Sequence, residues 1–419
     1  MQIRSIFGKI SNKFLVYGIG QAFNLIAPLV IAPYLIYVCN LDGFGKIGIA
    51  FAFTLFLILI VDYGFDIKGI KRISESRNSP KKLQDELVTT LYTKFILFFF
   101  SAIIGLSSIF FLPYFYNETL LFLFSLTIVF AQVFNPIWFL QGIEDFYTSS
   151  ILNACSKVLY VVLIFVFITE SNHYVYVNFL LGISSLTLNI LGLIYVFKKN
   201  KFHFFKPHFE LIFQTLRNDF SLCISQLFLS IRQLSPLFLV GYLFGYNLAG
   251  QYKILDQIIS LYRTLSQVFL KFFYPQLCFR LNEDKKHALQ YWKKYVLILF
   301  SGVFISSLLL FFLSDKVLVF FRVESNLIKD LQVLFQMILI VPVAMVFSLS
   351  FEQLMFGLHN NKLYFKITFF VTVINLITIL LFSYFYNLSG IIASIFLSEI
   401  LFVYFYYQGA FKKIASNEN

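Results

Sequence analysis

Residues 219–275 read DFSLCISQLFLSIRQLSPLFLVGYLFGYNLAGQYKILDQIISLYRTLSQVFLKFFYP. These are two apolar runs long enough to cross a bilayer, joined at Gly245-Tyr-Asn-Leu-Ala-Gly250. The first carries Arg232 near its middle, and the second carries Lys253, Asp256, Arg263 and Lys271. A charge at the centre of a spanning helix costs about 2.5–3.5 kcal/mol on insertion scales, so it persists where it faces water or a partner. At about 100° per residue, Lys253, Asp256, Gln257, Ser260, Arg263, Thr264, Gln267 and Lys271 share an arc of roughly 120°. The stretch predicts a helical hairpin with a polar, mainly cationic stripe inside a membrane.

Apolar runs of similar length recur between short polar connectors along the whole chain, and the chain is 59% hydrophobic with only 13% charged residues. That is too little charge to cover a water-soluble surface, so the fold class is an all-α polytopic membrane protein. Twelve spans are predicted, at about 14–38, 46–67, 91–112, 119–140, 150–169, 175–197, 219–244, 250–274, 293–313, 331–356, 364–385 and 389–411. The first 13 residues carry Arg4, Lys9 and Lys13 and lack a small-residue cleavage pattern, as in an uncleaved first helix. The net charge of +12 does not point to nucleic acid, because the basic residues concentrate in alternate connectors. Lys68 to Lys82, Lys198 to Arg217 and Arg280 to Lys286 form one set, and the opposite connectors carry Asp42, Glu118 and Glu170. By the positive-inside rule both termini are cytoplasmic. Cys39, Cys155, Cys223 and Cys278 show no CxxC spacing, and His173, His203, His208, His287 and His359 show no metal-ligand spacing, so no metal or cofactor is predicted.

The basic segment 201–218 lies near the midpoint and divides an N-terminal six-helix lobe, 1–200, from a C-terminal one, 219–419. An offset of 205 aligns Gln21 with Gln226, Tyr37 with Tyr242 and Gly45 with Gly250, and an offset of 200 aligns Tyr92-Thr-Lys94 with Trp292-Lys-Lys294. Arg72-Ile-Ser-Glu75 matches Arg280-Leu-Asn-Glu283. Six is even, so the two copies enter the membrane from one side and predict two lobes around a central cavity, the geometry of an alternating-access carrier. At the 205 offset Arg232 and Arg263 align with Ala27 and Ile58. The first half presents amides instead.

On the first span Tyr17, Gln21, Asn24 and Pro28 share one narrow face that lines either the cavity or a helix contact. Arg232 and Arg263, each thirteen residues into its run, sit at similar depth with Lys253 and Lys271 on the same hairpin. They form either a cationic cavity or an internal lock with Asp256, with Glu352 and Glu399 as further partners. Guanidinium forks suit phosphate oxygens in two-point contacts, which favours an anionic, phosphorylated cargo. Gln267 extends the stripe, and Lys157 is a candidate cavity cation in the first half. Glu399, Glu352, Asp256 and Asp62 are candidates for coupling to a proton or sodium gradient. Asp62 and Asp66 lie near the interface, where a capping role competes. No Walker, GxSxG or HExxH pattern occurs, and Glu144-Asp145 reads as a solvated turn, so the chain is expected to be a carrier and not an enzyme.

Gly20-Gln21, Asn24, Pro28, Pro33-Tyr34-Leu35 and Gly43-Phe44-Gly45 together resemble the opening of bacterial O-antigen flippases of the Wzx type. Asp62-Tyr-Gly-Phe65 and the basic run Lys71-Arg72-Ile-Ser-Glu-Ser-Arg77 are similar to the same family. The resemblance implies the multidrug/oligosaccharidyl-lipid/polysaccharide exporter fold and movement of an undecaprenyl-pyrophosphate-linked oligosaccharide to the outer face of the inner membrane, with a polysaccharide polymerase as a candidate partner. The competing readings are a drug or cation antiporter of that superfamily, a relative of the lipid II flippases, and an integral-membrane polymerase or ligase. The last needs a large external loop, whereas the longest external connector here is 314–330.

Overall fold

The computed structural model describes residues 2–205, 207, 209–358 and 360–415, with side chains except those of 2–19, 21, 221, 222, 225, 275, 282, 361 and 413–415. The described residues are α-helical without a strand. In chain order the helices are α1 (Gln2–Asp62), α2 (Ile70–Glu75), α3 (Pro80–Phe111), α4 (Pro113–Tyr116), α5 (Thr119–Val133), α6 (Ile137–Gly142), α7 (Phe146–Phe167) and α8 (Val177–Asn200). They continue as α9 (Phe209–Phe244), α10 (Tyr246–Glu283), α11 (Lys285–Phe312), α12 (Ser314–Phe320), α13 (Ser325–Ile338), α14 (Ile340–Gly357) and α15 (Asn361–Ala415). Asp219 thus lies inside α9 and not at its start. His208 and His359 lie outside the described residues.

Nine helices among the described residues are long and apolar enough to cross a membrane. Two of these segments, Ala22–Asp62 and Lys362–Lys412, have 41 and 51 residues. At 1.5 Å per residue each exceeds about 60 Å, roughly twice the hydrocarbon thickness. Each is interrupted by one non-helical asparagine, Asn40 (φ 59°, ψ 174°) and Asn387 (φ 50°, ψ −129°). Asparagine tolerates positive φ better than other side chains do, because its amide can bond locally. The α15 chain reverses there: Asn375 donates to the Ser394 carbonyl at 3.2 Å, Asn360 to that of Gly409 at 3.4 Å, and Gly390 packs on the Phe382 backbone. Tyr384, Phe385 and Tyr386, all strongly exposed, form the tip of this hairpin.

The chain forms two compact units, Met1–Leu227 and Phe228–Asn419, so the division falls within α9. In the first unit α1 packs on α3, α5 and α7, and α8 packs on α5 and α7. A Cβ at Gly182 would collide with Thr127, which is how α5 and α8 approach so closely. Below Asp62 the chain passes through Tyr63 (φ 47°) and Gly64 (φ 87°) into a π-helical turn, Phe65–Gly69. This break aims α2 at α9. Arg72 bonds Glu86 at 3.0 Å and Asp219 at 2.8 Å, and Lys68 reaches the same buried Asp219 at 3.3 Å. At the start of α7, burial pushes the Asp145 carboxyl up, but hydrogen bonds from Lys199 and Thr148 outweigh it and hold the group below its ordinary value.

Within the same unit Lys94 is 1% exposed on α3, and its Nζ lies 2.7 Å from Asp62 Oδ1, while Gln132 donates to Asp62 Oδ2 at 2.7 Å. Asn135 in turn donates to Gln132 Oε1 at 3.2 Å. In the second unit α10 packs on α11 and α14, and α14 on α15. Trp292 donates to the Ser350 carbonyl at 3.2 Å and Tyr295 to Gln353 at 2.7 Å, pinning α11 to α14.

Removing one partner of a buried ion pair strands the other charge, at about 3–5 kcal/mol. Lys94→Met should therefore lower the thermal unfolding temperature of the detergent-purified protein sharply, and adding Asp62→Asn should recover most of the loss. A double variant no better than Lys94→Met would show that the pair is not what holds this end of the unit.

Candidate functional site

In the second unit α9, α10 and α15 enclose a polar cavity lined by Arg232, Asp256, Arg263, Asn375, Ser398 and Glu399, among others. Its volume is about 20 Å³, room for about one water molecule. Pro236, one turn after Arg232, also lines it and supplies no N–H to the Arg232 carbonyl.

The Arg232 Nη1 donates to Glu399 Oε1 at 3.2 Å, and its guanidinium lies over the Phe402 ring at 4.5 Å. The second oxygen of Glu399 accepts from Ser348 of α14. Glu399 is 3% exposed, so both oxygens are held by the protein in a dry setting. Glu352 lies within electrostatic reach of Arg232 and accepts from Tyr364 at 2.9 Å. Tyr364 stacks on Tyr406, whose hydroxyl pairs with Thr368 at 2.8 Å. On α10, Lys253 Nζ reaches Asp256 Oδ2 at 3.1 Å.

Arg263 differs. It lies within electrostatic reach of Arg232, Asp256 and Glu399, yet its Nε is buried without a hydrogen-bond partner and none of its nitrogens makes an ion pair within 4 Å among the described residues. The Nε of Arg232 and the side-chain oxygens of Ser235, Gln257 and Ser266 are likewise buried without partners. Buried donors and acceptors without partners cost about 1–3 kcal/mol each, and this hairpin carries several of them.

Of the residues singled out from the sequence, Arg232, Arg263, Asp256 and Glu399 meet at this cavity, and Lys253 and Glu352 adjoin it through Asp256 and Arg232. Gln267 and Lys271 continue the α10 stripe one and two turns past Arg263 without lining it, and Lys271 is exposed. Lys157 and Asn24 belong to the first unit, where Lys157 on α7 is half-buried. The side chains of Tyr17 and Gln21 lie outside the described residues. Asp62 is held by Lys94 and Gln132. Sequence reasoning missed Lys94, Ser348, Phe402 and Tyr364. Only Lys94 left a signal, as a lone basic residue entering an apolar span.

Residues 10–277 match the family model described as polysaccharide biosynthesis protein. The chain belongs to that family. It is 20% identical over 257 residues to the "Putative O-antigen transporter" of Escherichia coli (strain K12), across 61% of this chain and 62% of that one. It is 25% identical over 191 residues to the protein of the same name from Shigella dysenteriae, across 45% and 46% of the two chains. The matched region spans less than two thirds of either relative. Among solved structures, a multidrug resistance MATE family transporter of the MOP superfamily in an inward-facing conformation shares the fold, with a TM-score of 0.78 at 16% identity over 94% of this chain and 96% of that one. Together with the apolar helices, these likenesses make the family member in hand a multi-pass membrane protein.

A double-mutant cycle measures whether the Arg232–Glu399 pair is a working contact. Arg232→Met and Glu399→Gln should each destabilise the purified protein, and the double variant should lose less than the two losses combined, with a coupling of about 1.5–3 kcal/mol. Strict additivity in denaturation would mean that the pair contributes nothing.

Proposed function

We propose that this protein carries an undecaprenyl-pyrophosphate-linked oligosaccharide, an O-antigen or related repeat unit, across the bacterial inner membrane by alternating access. The observation that carries this reading is the half-buried Arg263 guanidinium, which lies beside Arg232 with its Nε buried and unpartnered while the neighbouring acids are all engaged. A drug or cation antiporter needs a free buried acid, and Asp62, Asp256, Glu352 and Glu399 each already hold a partner. A pyrophosphate offers the acidic oxygens that two guanidinium forks can grip, Arg263 first and Arg232 once Glu399 lets go. Because the cavity has room for about one water molecule, loading requires it to open.

In this reading Lys253, Lys271 and Gln267 extend the anion path along α10, and Tyr17, Gln21, Asn24 and Lys157 serve the glycan from the first half. Counting two crossings for each of α1 and α15, and admitting α10 despite its polar stripe, gives twelve spans. That number supports two six-helix lobes around a central cavity, with both termini in the cytoplasm. The names of the relatives support an O-antigen as cargo. A polysaccharide polymerase is the proposed partner on the product side.

The test is complementation of a flippase-null strain, scored as surface polysaccharide at matched protein level. Arg263→Ala and Arg232→Ala should each reduce export by about tenfold or more, as loss of a charged hydrogen bond implies. Lysine at position 263 should rescue only partly, because it lacks the fork. Normal export by both alanine variants would overturn the reading.

A further inference from the structure

Arg232 serves two anions in this scheme, its own Glu399 and the cargo phosphate, and it cannot serve both fully. The titratable and charged groups around Glu399 among the described residues come from four helices. From α9 comes Arg232; from α10, Arg263, Asp256 with its Lys253, and Tyr252; from α14, Ser348 and Glu352; from α15 itself, Tyr364 and Tyr406. Helix α13 also packs on α15, but its Lys329 and Asp330 are exposed. Arg263 is the one other cation at the cavity without an ion pair among the described residues, and in the loaded state it is the second ligand of the phosphate.

We propose, resting on the anionic-cargo reading, that cargo and a proton bind together at this site: the phosphate takes Arg232 from Glu399, and the stranded Glu399 carboxylate takes up a proton. The physical reason is the location. A carboxylate 3% exposed that loses its only guanidinium keeps a single neutral hydrogen bond from Ser348. An uncompensated buried charge costs several kcal/mol, and protonation removes that cost without moving the backbone. The neutral acid can then donate to Ser348, whose hydroxyl turns to accept, so the hydrogen bond is kept with its direction reversed. The proton comes from water, and no bond other than O–H forms.

Linkage makes the effect reciprocal. If the anion raises proton affinity at Glu399, then a proton on Glu399 raises anion affinity by the same factor, because it releases Arg232 in advance. The sign is opposite to a site where cargo and proton compete for one carboxylate. Competition gives tighter cargo binding as pH rises, whereas the Arg232–Glu399 pair gives tighter binding as pH falls.

The experiment is calorimetric titration of the full-length protein in lipid nanodiscs with inorganic pyrophosphate, in pairs of buffers that differ in ionisation enthalpy, so that the heats count the protons exchanged. Wild type should take up about one proton more per anion than Glu399→Gln, and its affinity should rise by up to about tenfold per pH unit of acidification until it meets that of Glu399→Gln. The comparison cancels the titration of pyrophosphate itself. Equal proton counts in the two proteins, or relative release by wild type, would overturn the co-binding while leaving the anion site standing. No pyrophosphate binding at any pH would overturn the anionic-cargo reading beneath it. Should Glu399→Gln fail to fold, wild type alone decides with inorganic sulfate, which stays fully ionised across the range. Sulfate affinity independent of pH sinks the proposal, and affinity that strengthens with acidification sustains it.

Discussion

A charge taken out of water must find its partner within the protein, and much of this molecule is arranged around meeting that demand. Lys94 meets Asp62 and Gln132 at one end of the first unit, Asp219 gathers Lys68 and Arg72, and Arg232 meets Glu399 in the second unit. Each contact joins helices far apart in sequence, so each also fixes packing that hydrophobic contact between lipid-like surfaces would leave loose. Arg263 stands out against this background because its demand is left open.

Much of the fold was legible in the sequence because the bilayer imposes one length scale. Runs such as 91–112 and 293–313 announce themselves, and helices α3 and α11 cover them. The hairpin 219–275 was legible too, since a charged stripe in an apolar context has few readings. Boundaries were less so: α9 begins at Phe209, ahead of its apolar run, because Glu210 to Asn218 can continue a helix outside the membrane.

The partners were not legible, for a physical reason. Arg232 and Glu399 are 167 residues apart, and Lys94 and Asp62 are 32 apart on different helices. Nothing local at either end specifies the other, since the match is made by helix rotation and depth. The internal repeat misled in the same way. It aligns Lys94 with Lys294, yet Lys94 is buried and paired while Lys294 is exposed. The two lysines share a residue type and not a setting. Likewise the first half, which reads as poor in charge on its amide face, keeps its own buried pair on a different set of helices.

The α15 hairpin adds a ruler. Tyr384, Phe385 and Tyr386 crowd its tip, and amphipathic aromatic rings settle at the headgroup level of a bilayer. From Asn387 to Glu399 the returning arm runs about 18 Å at 1.5 Å per residue, against a hydrocarbon thickness of about 30 Å. The aromatic tip therefore hangs the carboxylate near the midplane, where each leaflet is equally far away.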